Sequence, residues 1–306
     1  MSFLYLLEKI RVPGLNELML AVTQLGEETA FLVIALIVFW CVDKRKGYFL
    51  MSVGFLGTMA NQFLKLLCRV PRPWVRDPDF TILEQAREAA SGYSFPSGHS
   101  QTSVGTFGSI AMTTNKKWLR NVCIAIAVIV PFSRMYLGVH TPQDVLVGSG
   151  MAIALLVLMK PAVFGKDGKY IPTLFVAMVM IAFAFLAYTE LFPFSADIDA
   201  VNLESARKNA YTLLGTMLGM TIVYFVDEKK LHFRVGGKWY AQLGKVIGGL
   251  VIVLLIKSGL KAPLDALFGG HMISRSIRYM LIVLAAGIVW PLTFPWFSKL
   301  GRKDHT

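Results

Sequence analysis

Three short clusters hold the residues whose types and spacing suit chemistry. The first runs from Lys65 to Pro73 (KLLCRVPRP), the second from Pro96 to Ser100 (PSGHS), and the third from Ser133 to Asp144 (SRMYLGVHTPQD). In the second, Ser97 is a good N-cap and Gly98 lets an anion approach the backbone closely. The first amides of a helix have no internal partner and point outward at the positive end of its dipole, so such a terminus binds phosphate-like anions. His99 lies in that first turn, where it could meet the same anion. The bland alternative is an ordinary capped helix that carries a histidine.

In the third cluster, Thr141 as N-cap, Pro142 at the first helical position and Asp144 three residues after the cap mark another helix start. Asp144 can cap that helix as Glu or Gln does in a capping box. It can also accept a hydrogen bond from one ring nitrogen of His140, fixing the tautomer and leaving the other nitrogen free to attack. Both roles can hold at once. Arg134 adds a planar fork suited to two oxygens of a phosphoryl group. In the first cluster, Pro71 and Pro73 should stop a helix, leaving Lys65 on its last turns and Arg72 in a stiff loop. Taken alone, these two cations read more readily as residues that snorkel to a membrane surface.

The elements that must position these clusters are membrane helices. The chain has 306 residues, of which 55% are hydrophobic and 16% charged, against about a quarter charged in soluble domains. Long apolar runs recur from end to end, and a bilayer core needs about 20 such residues per helix. The expected fold is all-α, a polytopic bundle of about nine spans near 29–42, 47–67, 98–114, 119–138, 142–160, 172–192, 209–226, 241–260 and 278–297. Two weakly amphipathic helices within residues 1–28 are expected at the membrane surface. Residues 29–165 form the expected catalytic core and 166–306 a C-terminal extension of unknown role. No removable signal is expected at the N-terminus.

The net charge of +12 sits in short clusters at the ends of apolar runs, which is topology rather than nucleic-acid binding. Lys44–Lys46, Lys116, Lys117 and Arg120, Lys166 and Lys169, Lys229, Lys230, Arg234 and Lys238, and Lys299, Arg302 and Lys303 fall on one side. The other side holds Asp77, Asp79, Glu84, Glu88, Asp197, Asp199 and Glu204. The positive-inside rule makes the first side cytoplasmic, with residues 68–97 and 138–142 together on the outer face of a plasma membrane. Cys41, Cys68 and Cys123 read as packing residues, and His232, His271 and His305 lie outside the clusters. No HExxH, no CxxC pair and no intramembrane carboxylate cluster offers a metal cage, and no cofactor is implied.

Together the clusters resemble the type 2 phosphatidic acid phosphatase superfamily, whose pattern is Lys, six residues, Arg-Pro; then Pro-Ser-Gly-His; then Ser-Arg, five residues, His, three residues, Asp. Lys65 and Arg72-Pro73, Pro96 to His99, and Ser133-Arg134 with His140 and Asp144 match every defining position, within roughly residues 29–160. The resemblance implies a metal-independent membrane phosphatase acting on a lipid phosphomonoester or pyrophosphate, such as a polyprenyl phosphate, phosphatidate, phosphatidylglycerol phosphate or sphingoid phosphate. It implies His140 as nucleophile through a phosphohistidine, Asp144 as its support, and His99 as acid to the leaving oxygen and then base to water. Lys65, Arg72, Ser97, Gly98 and Arg134 would hold the phosphoryl oxygens. Residues 74–95 would roof the site. A soluble sugar phosphatase, a phosphotransferase, and a lipid transporter or binding protein on the same scaffold are the alternatives.

Overall fold

The computed structural model describes residues 1–90 and 92–299; Arg302, Lys303 and His305 lie outside the described residues. Every regular element among them is helical. The chain forms α1 (Ser2–Lys9), α2 (Pro13–Thr23), α3 (Glu28–Ile37), α4 (Lys44–Cys68), the short α5 (Pro73–Arg76), α6 (Gly98–Thr113), α7 (Lys117–Tyr136) and α8 (Pro142–Phe164). Then follow α9 (Ile171–Leu191), α10 (Ala200–Val226), α11 (Trp239–Gly259), α12 (Lys261–Leu267), α13 (Ile273–Leu284) and α14 (Phe294–Lys299).

The number of spans is lower than expected. Among the described residues six helices are long and apolar enough to cross a bilayer, or seven if α2 and α3, bent by 55°, count as one broken span. The six begin at Lys117, Pro142, Ile171, Ala200, Trp239 and Ile273. Helices α4 and α6 form where the pattern places them but do not pass on length and composition. The reason is physical: α6 has 16 residues and buries Ser100, Gln101, Thr102, Ser103, Thr106 and Ser109. A helix wrapped by protein needs no lipid-facing apolar surface. The lipid-type helices show the reverse, with Leu146, Ile153, Val157 and Leu158 of α8 exposed.

The chain divides into two compact units. The first comprises residues 1–35, 49–161 and 192–206. In it α1 and α2 bury Leu4, Leu7, Met19 and Thr23, and Arg11 Nε donates to the carbonyl of Tyr136 at the end of α7 (2.9 Å). Met19, Ala86, Ala90, Tyr136, Leu137 and Val139 form one apolar cluster, which packs the loop after α5 against the turn leaving α7.

The second unit comprises residues 36–48, 162–191 and 207 onward. Trp40 Nε1 donates to the carbonyl of Ala286 (2.9 Å), Lys44 pairs with the buried Asp227, and Lys245, fully buried, donates to the Gly236 carbonyl (2.9 Å).

Candidate active site

Helix α4 ends at Cys68, and Arg69 takes a left-handed conformation (φ 49°) before the two prolines. Arg72 then becomes the N-cap of α5, with Pro73 at its first position. The loop thus carries Arg72 inward, where it is buried. Its Nε donates to the Gly92 carbonyl (2.9 Å) and its Nη1 to the Val139 carbonyl (3.0 Å). Lys65, on the last turns of α4, donates from Nζ to the Tyr93 carbonyl (3.0 Å).

Ser97 caps α6 as expected, its hydroxyl accepting from the amide and the hydroxyl of Ser100 (3.4 and 2.9 Å). Its own amide donates to the carbonyl of Asp144 (3.0 Å), which ties the start of α6 to the first turn of α8. A side chain on Gly148 of α8 would meet the Ser97 carbonyl at 2.5 Å, so glycine permits this approach. Asn61 holds the preceding loop through the Pro96 carbonyl (3.2 Å). A Cβ at Gly98 would meet Asn61 Oδ1 at 3.6 Å, an ordinary contact. His99 Nε2 is buried with no hydrogen-bond partner.

The turn between α7 and α8 needs Gly138, whose φ is 83° and whose missing side chain leaves room for Arg11 and Phe80. On one side of the turn Arg134 is fully buried, with Nη1 on Thr23 Oγ1 (2.9 Å) and with Nε and Nη2 lacking any partner. On the other, Thr141 and Asp144 cap α8 reciprocally: Thr141 N donates to Asp144 Oδ2 (2.7 Å), and Asp144 N to Thr141 Oγ1 (3.3 Å).

His140 sits between these groups, 2% exposed. Its Nε2 lies 2.9 Å from Arg72 Nη1, and its Nδ1 lies 3.5 Å from Asp144 Oδ2. The Ser94 hydroxyl sits beside this contact, donating to Asp144 Oδ2 (2.6 Å) with its oxygen 3.4 Å from Nδ1. Burial, then the positive charges of Arg72, Arg134 and Lys65 and the nearby His99, hold His140 well below the ordinary histidine range. It is therefore a neutral imidazole at pH 7. Burial also lowers Arg72 to about 10, partly offset by Asp144, so it stays cationic.

The expected site residues therefore lie in one unit. Arg72, His140 and Asp144 touch in series, Ser97 is bonded to the backbone of Asp144, and Arg134, Lys65 and His99 act on His140 through their charge. Sequence reasoning missed Ser94, Thr23 and Asn61. Ser94 is 50 residues from Asp144 and Thr23 is 111 from Arg134, and neither falls in a spaced motif. Among the described residues no three His, Cys, Asp or Glu side chains converge as a metal site. Chemically, a neutral ring nitrogen facing fixed cations can attack an anionic phosphoryl group.

Comparison with known proteins agrees in place. The chain matches the PAP2 superfamily over residues 45–167, and the transmembrane extension of PAP2 superfamily phosphatases over 211–303. It is 33% identical over 166 residues to phosphatidylglycerophosphatase B of Bacillus subtilis, spanning 49% of this chain and 76% of that protein. It is 30% identical over 139 residues to undecaprenyl-diphosphatase of Sulfolobus acidocaldarius (45% and 66% of the two chains). It is 26% identical over 170 residues to sphingosine-1-phosphate phosphatase 1 of Rattus norvegicus (52% and 39%). No solved structure matches the chain significantly.

Proposed function

Because the chain belongs to the PAP2 superfamily, we propose that it is a membrane phosphatase that removes phosphate from a lipid phosphomonoester or pyrophosphate through a phosphohistidine. The observation that carries this reading is the setting of His140, neutral, with Nε2 toward the Arg72 guanidinium and Nδ1 toward Ser94 and Asp144. A bound phosphoryl oxygen would take the N–H that Arg72 directs at Nε2, and so bring phosphorus onto the ring nitrogen. Nε2 attacks phosphorus, the bond to the leaving oxygen breaks, and His99 supplies that oxygen's proton. His99 then takes a proton from water, which displaces His140 and releases inorganic phosphate.

Lys65, Arg72, Arg134 and the α6 opening at Ser97 and Gly98 hold the phosphoryl oxygens, with side-chain cations and helix amides in the role a metal ion plays elsewhere. Phosphoryl transfer needs mainly positioning and charge stabilisation, and proton transfer by His99 adds typically about 10²–10⁴-fold. The relatives above are named for amphiphiles that carry a terminal phosphate or diphosphate, which supports a lipid substrate. The loop charges support an outward-facing site in a plasma membrane, with the C-terminus inside.

Phosphate release by purified protein from a panel of polyprenyl, phosphatidylglycerol and sphingoid phosphates tests the activity. His140→Ala should abolish it while the protein stays extractable; wild-type rates in that variant would end the nucleophile assignment. Orientation is tested separately with Asp79→Cys in a chain whose native cysteines are replaced. Labelling from outside intact cells is expected, and labelling only after permeabilisation would reverse the topology.

A further inference from the structure

The two cations beside His140 do not find their places alone. Arg72 Nε and Lys65 Nζ both hydrogen-bond main-chain carbonyls, those of Gly92 and Tyr93. The next residue, Ser94, supplies the hydroxyl on Asp144. Three successive residues of one loop segment therefore set the positions of two cations and the carboxylate behind the ring. A shift of that segment shifts all of them.

What holds the segment on its other side comes from far along the chain, outside both family-matched stretches. Asn202, in the first turn of α10, accepts the Tyr93 amide on Oδ1 (2.9 Å). Its amide occupies the space a side chain at Gly92 would need, and Gly92 itself is left-handed (φ 72°). Asn202 is 7% exposed, and its bond to the half-buried Tyr93 is part-buried. The turn is fixed in its own right: Asp199 caps it by accepting from the Asn202 amide (2.8 Å) and donates its amide to Tyr93 Oη (3.0 Å). Arg69 adds a third tie, donating to Ser195 Oγ (2.6 Å).

We propose that Asn202 is a positioning residue for phosphoryl binding, which acts through the Tyr93 backbone to fix Lys65, Arg72 and Ser94. The proposal rests on the phosphatase reading for its kinetic consequence, but the geometry it predicts can be read without turnover. Removing the acceptor leaves a partly buried N–H without its protein partner, and the segment must shift to satisfy it. Displacement of catalytic groups by about 1 Å can cost about 100-fold in rate.

The test uses the full chain, with Asn202→Leu to remove the acceptor at similar volume and Asn202→Asp to keep it. Two quantities are measured: lipid phosphate hydrolysis, and affinity for inorganic orthophosphate by calorimetry. Asn202→Leu should lower kcat by about tenfold to a hundredfold and weaken orthophosphate by about tenfold, while Asn202→Asp stays within about threefold of wild type in both. Wild-type values in Asn202→Leu, or equal losses in the two variants, would overturn the proposal. If the wild type hydrolyses no lipid at all, the phosphatase reading fails, and the orthophosphate measurement alone decides on Asn202. Should Asn202→Leu not fold, Tyr93→Phe, which removes only the hydroxyl that Asp199 reaches, takes its place. A smaller loss of orthophosphate affinity is then expected, and none would refute the idea.

Discussion

Replacing Ser94 with alanine separates the two possible sources of support for His140. The direct contact between Nδ1 and Asp144 Oδ2 is 3.5 Å, at the outer edge of hydrogen bonding, where such a bond is weak. Ser94 touches both groups from the side, with a strong 2.6 Å bond to the carboxylate and a long 3.4 Å contact to the ring. A hydrogen bond to a charged group is worth about 1.5–3 kcal/mol. Alanine does not free the carboxylate to drift, because the Thr141 amide still holds Oδ2 at 2.7 Å. What disappears is the relay that steadies the ring as positive charge develops on it during attack.

If most of that bond is expressed in the transition state, Ser94→Ala should lower kcat by about tenfold to a hundredfold, with KM within about twofold. Asp144→Asn should do more, since it removes the charge itself; loss of the analogous carboxylate from a serine-protease triad costs about 10⁴-fold. The assay is rapid-quench formation of acid-labile phosphoenzyme from a labelled lipid phosphate, which isolates the first step from hydrolysis. Wild-type phosphoenzyme formation in Ser94→Ala would refute the relay. So would a change confined to KM, because that would place the hydroxyl in substrate binding.

Two further outcomes follow from the same geometry. Gly148→Ala sets the gain in helix propensity, about 1 kcal/mol, against a Cβ 2.5 Å from the Ser97 carbonyl, an overpacking penalty of about 1–3 kcal/mol. The clash should win: kcat should fall by about tenfold, while Gly150→Ala, with nothing within 4 Å, leaves activity unchanged, and equal behaviour of the two variants would dismiss the helix contact. The depressed pKa of His140 has a sign for stability. Its folded value lies below the unfolded value of about 6.5, so stability is full above that range and is lost as pH falls toward the folded pKa. Thermal unfolding in detergent between about pH 7.5 and 5.5 should therefore show a smaller drop in Tm for His140→Gln than for wild type, and an unchanged slope would contradict a neutral buried ring.

Much of this was legible because the relevant signals are local. Proline pairs, N-caps and apolar runs placed the ends of α4, α6, α7 and α8 within a few residues, and the three clusters fell on those ends. The count of spans went astray for the opposite reason. Helices α4 and α6 fall where the sequence pattern places membrane spans, yet which faces meet protein depends on packing that no run of residues records. Ser94, Thr23 and Asn202 were invisible for a related cause. Each reaches the site through bonds to residues 46 to 111 positions away, and a lone serine, threonine or asparagine has no spacing to betray it.

The electrostatics of the site explain how it can select phosphate while staying folded. Arg72, Arg134 and Lys65 all bear on His140, and clustered buried cations are costly unless something satisfies their donors. Here neutral main-chain carbonyls of Gly92, Tyr93 and Val139 fill that role for Arg72 and Lys65, and the Thr23 hydroxyl does so for Nη1 of Arg134, whose Nε and Nη2 have no partner. Such partners satisfy hydrogen bonds without cancelling charge, so the positive potential remains. A carboxylate in any of those places would have neutralised a cation and competed with the substrate. The carboxylate that does enter the centre, Asp144, is turned toward Ser94, the Thr141 amide and the far nitrogen of the ring. In the proposed mechanism its charge supports the attacking ring while the cations face the phosphoryl group, a division that depends on where the 92–94 segment is held.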